Sequence, residues 1–150
     1  RHLLAAASGL VLFACVTDGG ETGMGDAARD GGKQDTLVLD LEKREAAQAI
    51  GPGLAEPAKQ KYVRIRVTEV HNPRPLRLTF EVHYRPGPGE DVLLGTFALY
   101  PPDRPGDFVV ATKGALRGQG SVVLSMQVLD EIRPGDELRV TTRPLAFTEK

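Results

Sequence analysis

The stretch "LRLTFEVHY" (residues 76–84) alternates apolar and polar side chains along its whole length. The apolar positions are Leu76, Leu78, Phe80, Val82 and Tyr84, and the polar positions are Arg77, Thr79, Glu81 and His83. Successive side chains of a β-strand point to opposite faces of its sheet. The pattern therefore predicts a strand with one face in a core and the other in solvent.

Similar strand patterns lie on both sides of this stretch. They are "TLVLDL", "YVRIRVTEV", "DVLLGTFALY", "DFVVATK", "GSVVLSMQVLD" and "DELRVTTRP". Turn-forming stretches separate most of them: "NPRP", "RPGPGED", "PPDRPGD", "RGQG" and "IRPGDE". Short strands at this spacing predict an all-β domain, an antiparallel β-sandwich of about seven strands, with a barrel as the second choice. One helix is also predicted, over Glu42–Ile50, ending at the glycines and proline that follow it.

An apolar segment, residues 3–14, follows Arg1 and His2 near the amino terminus. As a helix it would be roughly 18 Å long. A membrane-spanning helix needs about 30 Å, so the segment is too short to remain as one. A basic start, an apolar centre and small residues before a cleavage point predict a signal peptide over residues 1–14. A buried amino-terminal helix is an alternative.

The end of this segment reads Leu12-Phe13-Ala14-Cys15 and resembles the lipobox of bacterial lipoprotein precursors. Leu12, Ala14 and Cys15 fit that pattern, whereas Phe13 stands where the family usually has a small residue. The resemblance implies that the Cys15 thiol receives a diacylglyceryl group, and that cleavage before it yields an amine that is usually acylated. Because two or more chains hold a protein firmly on a membrane, it implies a stable anchor in the bacterial cell envelope, facing the periplasm or the exterior. An ordinary signal peptide with an incidental cysteine is the alternative.

Residues 16–35 contain six glycines, five acids, two bases and no aromatic residue. Such a composition cannot bury enough apolar surface to offset the entropy lost on ordering. We therefore predict a flexible tether over residues 15–35, between lipidated Cys15 and a folded domain at 36–150. A calcium-binding loop at "GGETGMGD" is a weaker interpretation, because such loops work as repeated arrays.

The sequence suggests no catalytic site. Outside the leader the serines are Ser121 and Ser125, both in a predicted strand and neither in a nucleophile motif. The paired acids lie in turns, which is typical of solvated side chains. The single cysteine rules out an internal disulfide and a cysteine-based metal site within the chain. We therefore predict no catalytic residues, no cofactor and no metal.

A hairpin joined by "NPRP" would place the strands before and after it side by side. In that register Arg64 faces His83, and Arg66 faces Glu81. The two "EVH" triplets suggest a zinc or copper site, but this hairpin keeps their histidines roughly 20 Å apart. It instead predicts a candidate binding face formed by Arg64, Arg66, Arg77 and His83. Arginine suits an anionic partner, such as an acidic protein surface or a phosphorylated envelope glycan. A solvated face without a partner is the alternative, and no nucleic-acid partner is predicted.

The stretches "FEVHY", "LLGTFALYPP", "VVLSMQVLDEI" and "ELRVTTRPL" resemble, in that order, the carboxy-terminal β-sandwich of tyrosinases and catechol oxidases. The copper ligands of those enzymes lie in another domain, so the resemblance implies an accessory module without oxidase activity. The function predicted from the sequence is a lipid-anchored, noncatalytic envelope module that binds a protein or an envelope component. The alternatives are such an accessory domain, or an enzyme or metal carrier whose site is not recognised.

Overall fold

Residues 36–150 are the part of the chain that the computed structural model describes. The predicted signal peptide, Cys15 and the tether lie outside it. The strands are β1 (Leu37–Asp40), β2 (Glu45–Ala49), β3 (Tyr62–His71), β4 (Leu78–Gly87), β5 (Glu90–Ala98), β6 (Gly106–Ala111), β7 (Ser121–Val128), β8 (Arg139–Thr142) and β9 (Ala146–Thr148). A short 3₁₀ helix, Pro57–Lys59, precedes β3. None of the helical structure in residues 36–150 is long and apolar enough to cross a membrane.

The strands form two antiparallel sheets. The five-stranded sheet has the order β1-β8-β3-β6, and β9 pairs with the first residues of β3. The four-stranded sheet has the order β2-β7-β4-β5. Neither sheet closes into a barrel within the described residues, so the predicted β-sandwich is confirmed and the barrel is not formed. All of the strand segments expected from the sequence are present, and β2 and β9 are additional.

The core lies between the two sheets, where the apolar rows of the alternating strands meet. Ile65 of β3, Phe80 of β4 and Leu124 of β7 are each at most 1 % exposed. The rings of Phe80, Phe97 and Phe108 stack in sequence, with centroids 4.8 Å and 4.3 Å apart. Because Phe97 is on β5 and Phe108 on β6, this stack joins the edges of the two sheets.

The predicted hairpin between β3 and β4 is wrong, because these strands belong to different sheets. The connection between them crosses from one sheet to the other, and Asn72 holds it in place. The Asn72 side-chain amide donates to the carbonyls of Leu76 (2.9 Å) and Pro102 (3.0 Å), and its oxygen accepts from the Leu76 N–H (3.0 Å). The apolar face of β4 is buried equally well whether β4 lies beside β3 in the same sheet or opposite it in the other sheet. The alternating pattern therefore did not distinguish the two arrangements.

The predicted helix over Glu42–Ile50 is also wrong, since β2 occupies Glu45–Ala49 and pairs with β7. Alanine, glutamate and glutamine are good helix formers, but pairing with β7 overrides that local preference. Gln48 points inward and is 7 % exposed. Its side chain donates to the Leu145 carbonyl (3.0 Å) and accepts from the Leu145 N–H (2.7 Å), which links the edge of the four-stranded sheet to the segment between β8 and β9.

Candidate functional site

The four residues of the predicted binding face lie on two different sheets. Arg64 and Arg66 are exposed on β3 of the five-stranded sheet. Arg77 immediately precedes β4 of the four-stranded sheet, and His83 lies within β4. Because β3 and β4 do not pair, the structure brings Arg64 and Arg66 together and separates them from Arg77 and His83.

Arg77 holds two loops together. Its guanidinium contacts the Asp130 carboxylate at 2.7 Å, and the same carboxylate accepts from the Arg77 backbone N–H at 2.6 Å. These bonds from Arg77 hold the pKa of Asp130 below its ordinary value, which favours the charged carboxylate. Arg77 thus fastens the connection between β7 and β8 to the start of β4.

A second ion pair, between Arg74 and Asp136, joins the connection before β4 to the connection between β7 and β8. The Arg74 guanidinium donates to both Asp136 carboxylate oxygens, at 2.7 Å and 2.5 Å. The Asp136 side chain is 7 % exposed. Together with the Arg133 backbone N–H, Arg74 lowers the pKa of Asp136 from 3.8 to about 2. The fork geometry of arginine suits this two-point contact with a carboxylate.

The side chain of His83 contacts another side chain of its own strand, β4. Its Nε2 lies 3.0 Å from Oε2 of Glu81, and its side chain is 20 % exposed. It stands opposite Val123 of β7 and Leu93 of β5 in the four-stranded sheet. Partial burial and an acidic neighbour leave it poorly placed to contact an anion.

Arg64 and Arg66 form a positively charged site with Arg143, which follows β8. Arg66 pairs with Asp107 of β6 at 2.7 Å and shares a shallow groove with Asp107 and Arg143. Among residues 36–150, neither Arg64 nor Arg143 makes an ion pair. We call Arg64, Arg66, Arg143 and Asp107 the basic end of the five-stranded sheet.

Exposed apolar side chains flank this basic end. Val109 stands opposite Arg64 on β6 and is 57 % exposed, and Tyr62 is 36 % exposed. Arginines beside exposed apolar side chains are typical of protein-binding surfaces. The arrangement provides positive charge for an anionic group and apolar contact beside it.

The opposite end of the same sheet carries the opposite charge. Asp40 and His71 both stand next to Arg139 across the strands, and His71 Nε2 contacts Glu137 Oε2 at 2.7 Å. An open groove at this end is lined by Asp40, Glu42, Glu69, His71, Glu137 and Arg139, among others. We call these six residues the acidic end. The backbone N–H groups of Lys43 and Glu42 lower the pKa of Asp40, which keeps its carboxylate charged.

Arg143 and Glu69, which lie on the outer face of the five-stranded sheet, were not predicted as part of a charged face. The alternation in "ELRVTTRP" carries a signal for Arg143, because inward Leu138, Val140 and Thr142 leave Arg143 outward. A bulge in β3 between Val67 and Glu69 shifts the register there. Simple alternation from Val63 therefore does not give the side of the sheet on which Glu69 lies.

The carboxyl groups in residues 36–150 whose pKa is shifted all have it lowered, by arginines or backbone N–H groups. Such shifts favour the charged form of these carboxylates. Within these residues no three His, Cys, Asp or Glu side chains are grouped to hold a metal ion. Fold and surface together define an all-β sandwich with a charged outer sheet face. Comparisons with protein-family models, curated proteins and solved structures found no significant match.

Proposed function

We propose that this chain is a lipid-anchored, noncatalytic module of the bacterial cell envelope, and that its β-sandwich binds a protein or another envelope component. The lipobox-like sequence ending at Cys15 supports the anchor, and the glycine-rich, acidic residues 16–35 suit a tether. A flexible tether of this kind would let the β-sandwich reach partners at a distance from the membrane surface.

The basic end carries the proposed binding role. Three arginines stand there against one aspartate, on or next to paired strands that hold their backbones in place. Arg64 and Arg143 make no ion pair within residues 36–150, so their guanidinium groups remain available for a carboxylate or a phosphate. Arg77 and His83 have no part in this site, because they lie at the start of β4 and within it, in the other sheet, where they contact Asp130 and Glu81.

The test is chemical crosslinking of the full-length chain in bacterial envelopes, followed by purification and identification of the attached component. The test variant carries Arg64→Glu and Arg143→Glu, and the control carries Arg117→Glu, an exposed arginine on the loop before β7. We expect the test variant to lose the component and the control to keep it. Binding by the parent should weaken as salt rises, since exposed charges are screened.

Two outcomes contradict the binding role. In one, the test variant captures the same component as the parent in the same amount. In the other, capture does not respond to salt. A metal found at equal molar amount in the purified chain by elemental analysis would favour the metal-carrier alternative.

A further inference from the structure

β6 is an open edge of the five-stranded sheet and lies beside the basic end. It ends the path β1-β8-β3-β6, so no described strand pairs with its other side. Its pairing with β3 continues over six residues without a register shift. β5, the edge of the other sheet, pairs with β4 through two register shifts, and such irregularity discourages further pairing. β1 and β2 have only four and five residues. Among the described strands, β6 is therefore the longest edge without a register shift.

The hydrogen bonds on both sides of β3 show which backbone groups of β6 face outward. The Thr112 N–H donates to the Lys61 carbonyl at 2.8 Å, just beyond the end of β6. Residues that exchange bonds alternate along an antiparallel pair, so Val110 and Phe108 also direct their backbone groups to β3. The intervening residues present their N–H and C=O groups to the open edge: Asp107, Val109 and Ala111.

The far side of β3 agrees with this alternation. The Arg66 carbonyl accepts from the Arg143 N–H at 2.9 Å, on the side of β8. Arg66 therefore directs its backbone away from Asp107, the residue of β6 that it faces. The backbone groups of Asp107 remain available at the open edge.

The surroundings of this edge carry more positive than negative charge. The basic residues are Arg64 and Arg66 of β3 and, beyond the two ends of β6, the exposed Arg104 and Lys113. The acids are Asp103, in the loop before the strand, and Asp107, which pairs with Arg66 at 2.7 Å. Like charges oppose the pairing of two identical edges, whereas an anionic strand is attracted to this one.

We infer that β6 receives an extended, acidic segment of a partner protein, which pairs with its open edge as a further strand of the sheet. The inference rests on the proposed function, since it names the kind of component that the basic end binds. Backbone hydrogen bonds to Asp107, Val109 and Ala111 hold the segment, and the arginines select its charge.

The outward side chains of the added strand would stand beside the basic end. Such a strand lies about 4.8 Å beyond β6 and therefore about 10 Å from β3. An arginine and a glutamate side chain together cover that distance. A depression of about 80 Å³, lined by Arg64, Arg66 and Val109 among others, lies at this point and suits a carboxylate. Acidic residues are therefore favoured at the outward positions.

The inward side chains would meet an aromatic surface. Phe108 of β6 stacks on Phe97 of β5 where the edges of the two sheets meet, and both rings are only partly buried. Apolar side chains on the added strand would cover these rings. The favoured segment therefore alternates acidic and apolar residues, with one face of each kind.

Synthetic peptides of about eight residues, long enough to span β6, test the inference. In the probe, glutamate alternates with valine. In the composition control, the same residues stand in two blocks. Fluorescence anisotropy measures binding to the full-length chain in nonionic detergent, with Cys15→Ser in every chain so that no acyl group is attached. We expect the probe to bind at least about tenfold more tightly than the control, and more weakly as salt rises.

Methylation of the peptide nitrogens tests strand pairing without changing the charge. The N–H groups of a strand alternate between its two sides, so only every second one can bond to β6. One derivative of the probe is methylated at the glutamates, and the other at the valines. We expect one derivative to bind at least about tenfold more weakly than the probe and the other to bind like it.

Val109→Pro tests the same pairing from the side of the chain. It removes an N–H that faces the open edge, and its ring stands where the added strand would lie. Proline is tolerated at such an edge position because no bond to β3 is lost. The control, Val109→Thr, keeps the N–H and a branched side chain. We expect Val109→Pro to weaken binding of the probe at least about tenfold and Val109→Thr to leave it nearly unchanged.

Thermal transitions check that both variants fold, and the methylated peptides test the pairing on the unsubstituted edge. The inference is overturned if the probe does not bind, if both methylated derivatives bind alike, or if a folded Val109→Pro chain binds like the parent. Crosslinking in envelopes separates these failures from a failure of the proposed function. A component lost with Arg64→Glu and Arg143→Glu but kept with Val109→Pro would leave the binding role standing and overturn the strand addition.

Discussion

Asp136 fastens the connection between β7 and β8 through an ion pair with Arg74. Its carboxylate is almost fully covered and accepts from the Arg74 side chain and the Arg133 backbone N–H. Arg74 also donates to the Glu131 carbonyl at 2.7 Å. One ion pair therefore fastens both the connection that crosses between the sheets and the loop that precedes β8.

We expect Asp136→Asn to lower the thermal transition by several degrees at neutral pH, because Arg74 loses its charged partner. The sign of the pH effect follows from the pKa of Asp136, which is about 2 in the fold against an ordinary 3.8. Its contribution is fully present above the ordinary pKa and is lost as pH falls through the folded one. The difference between parent and variant should therefore shrink between about pH 4 and pH 2.

Thermal melts monitored by circular dichroism across that pH range make the comparison. Asp103→Asn is the matched control, because Asp103 is exposed in a loop and makes no ion pair among the described residues. A control that loses as much stability as Asp136→Asn would count against this account of the ion pair.

At the scale of elements, β2 shows how a polar residue can link two sheets. Gln48 fills an inward position on an edge strand and bonds both backbone polar groups of Leu145. Leu145 is 2 % exposed, so water has little access to these groups. Leaving a buried backbone group without a partner costs about 1–3 kcal/mol.

We expect Gln48→Ala to lower the free energy of unfolding by about 1–3 kcal/mol, as measured by urea denaturation. Ala47→Ser, one position away on the exposed side of β2, should change it by less than about 0.5 kcal/mol. Equal stability of the parent and Gln48→Ala would mean that the contact between β2 and Leu145 does not stabilise the sandwich.

At the scale of the whole molecule, the proposed function depends on the proposed lipid anchor at Cys15. If Cys15 is the lipid-bearing residue, Cys15→Ser should prevent acylation and leave the chain uncleaved or free of the membrane. Detergent phase partitioning and mass spectrometry of the amino terminus distinguish these forms. Thr17→Ser is the control, because it keeps the cysteine. A Cys15→Ser chain that partitions and matures like the parent would contradict the lipid anchor.

Seven of the nine strands in residues 36–150 could be predicted from the sequence alone. In "LRLTFEVHY" and in "VRIRVT" (residues 63–68) each apolar side chain is followed by a polar one, and burial of one face follows directly from that alternation. The turn-rich stretches between such segments limited the strands to short lengths. An all-β sandwich therefore follows from the sequence, because both the pattern and the turns are local properties.

The partners of the strands were decided only by the tertiary structure. Arg77 was expected on the same hairpin face as Arg64, yet it pairs with Asp130 in a different part of the molecule. Arg143 reaches the basic end because β8 pairs with β3, which is 68 residues earlier at the paired positions Arg139 and His71. β2 became a strand because β7 was available to pair with it. Two strands bury the same apolar side chains whether they pair in one sheet or pack against each other from opposite sheets. The choice between the two arrangements therefore rests on contacts between residues distant in sequence, which no local pattern encodes.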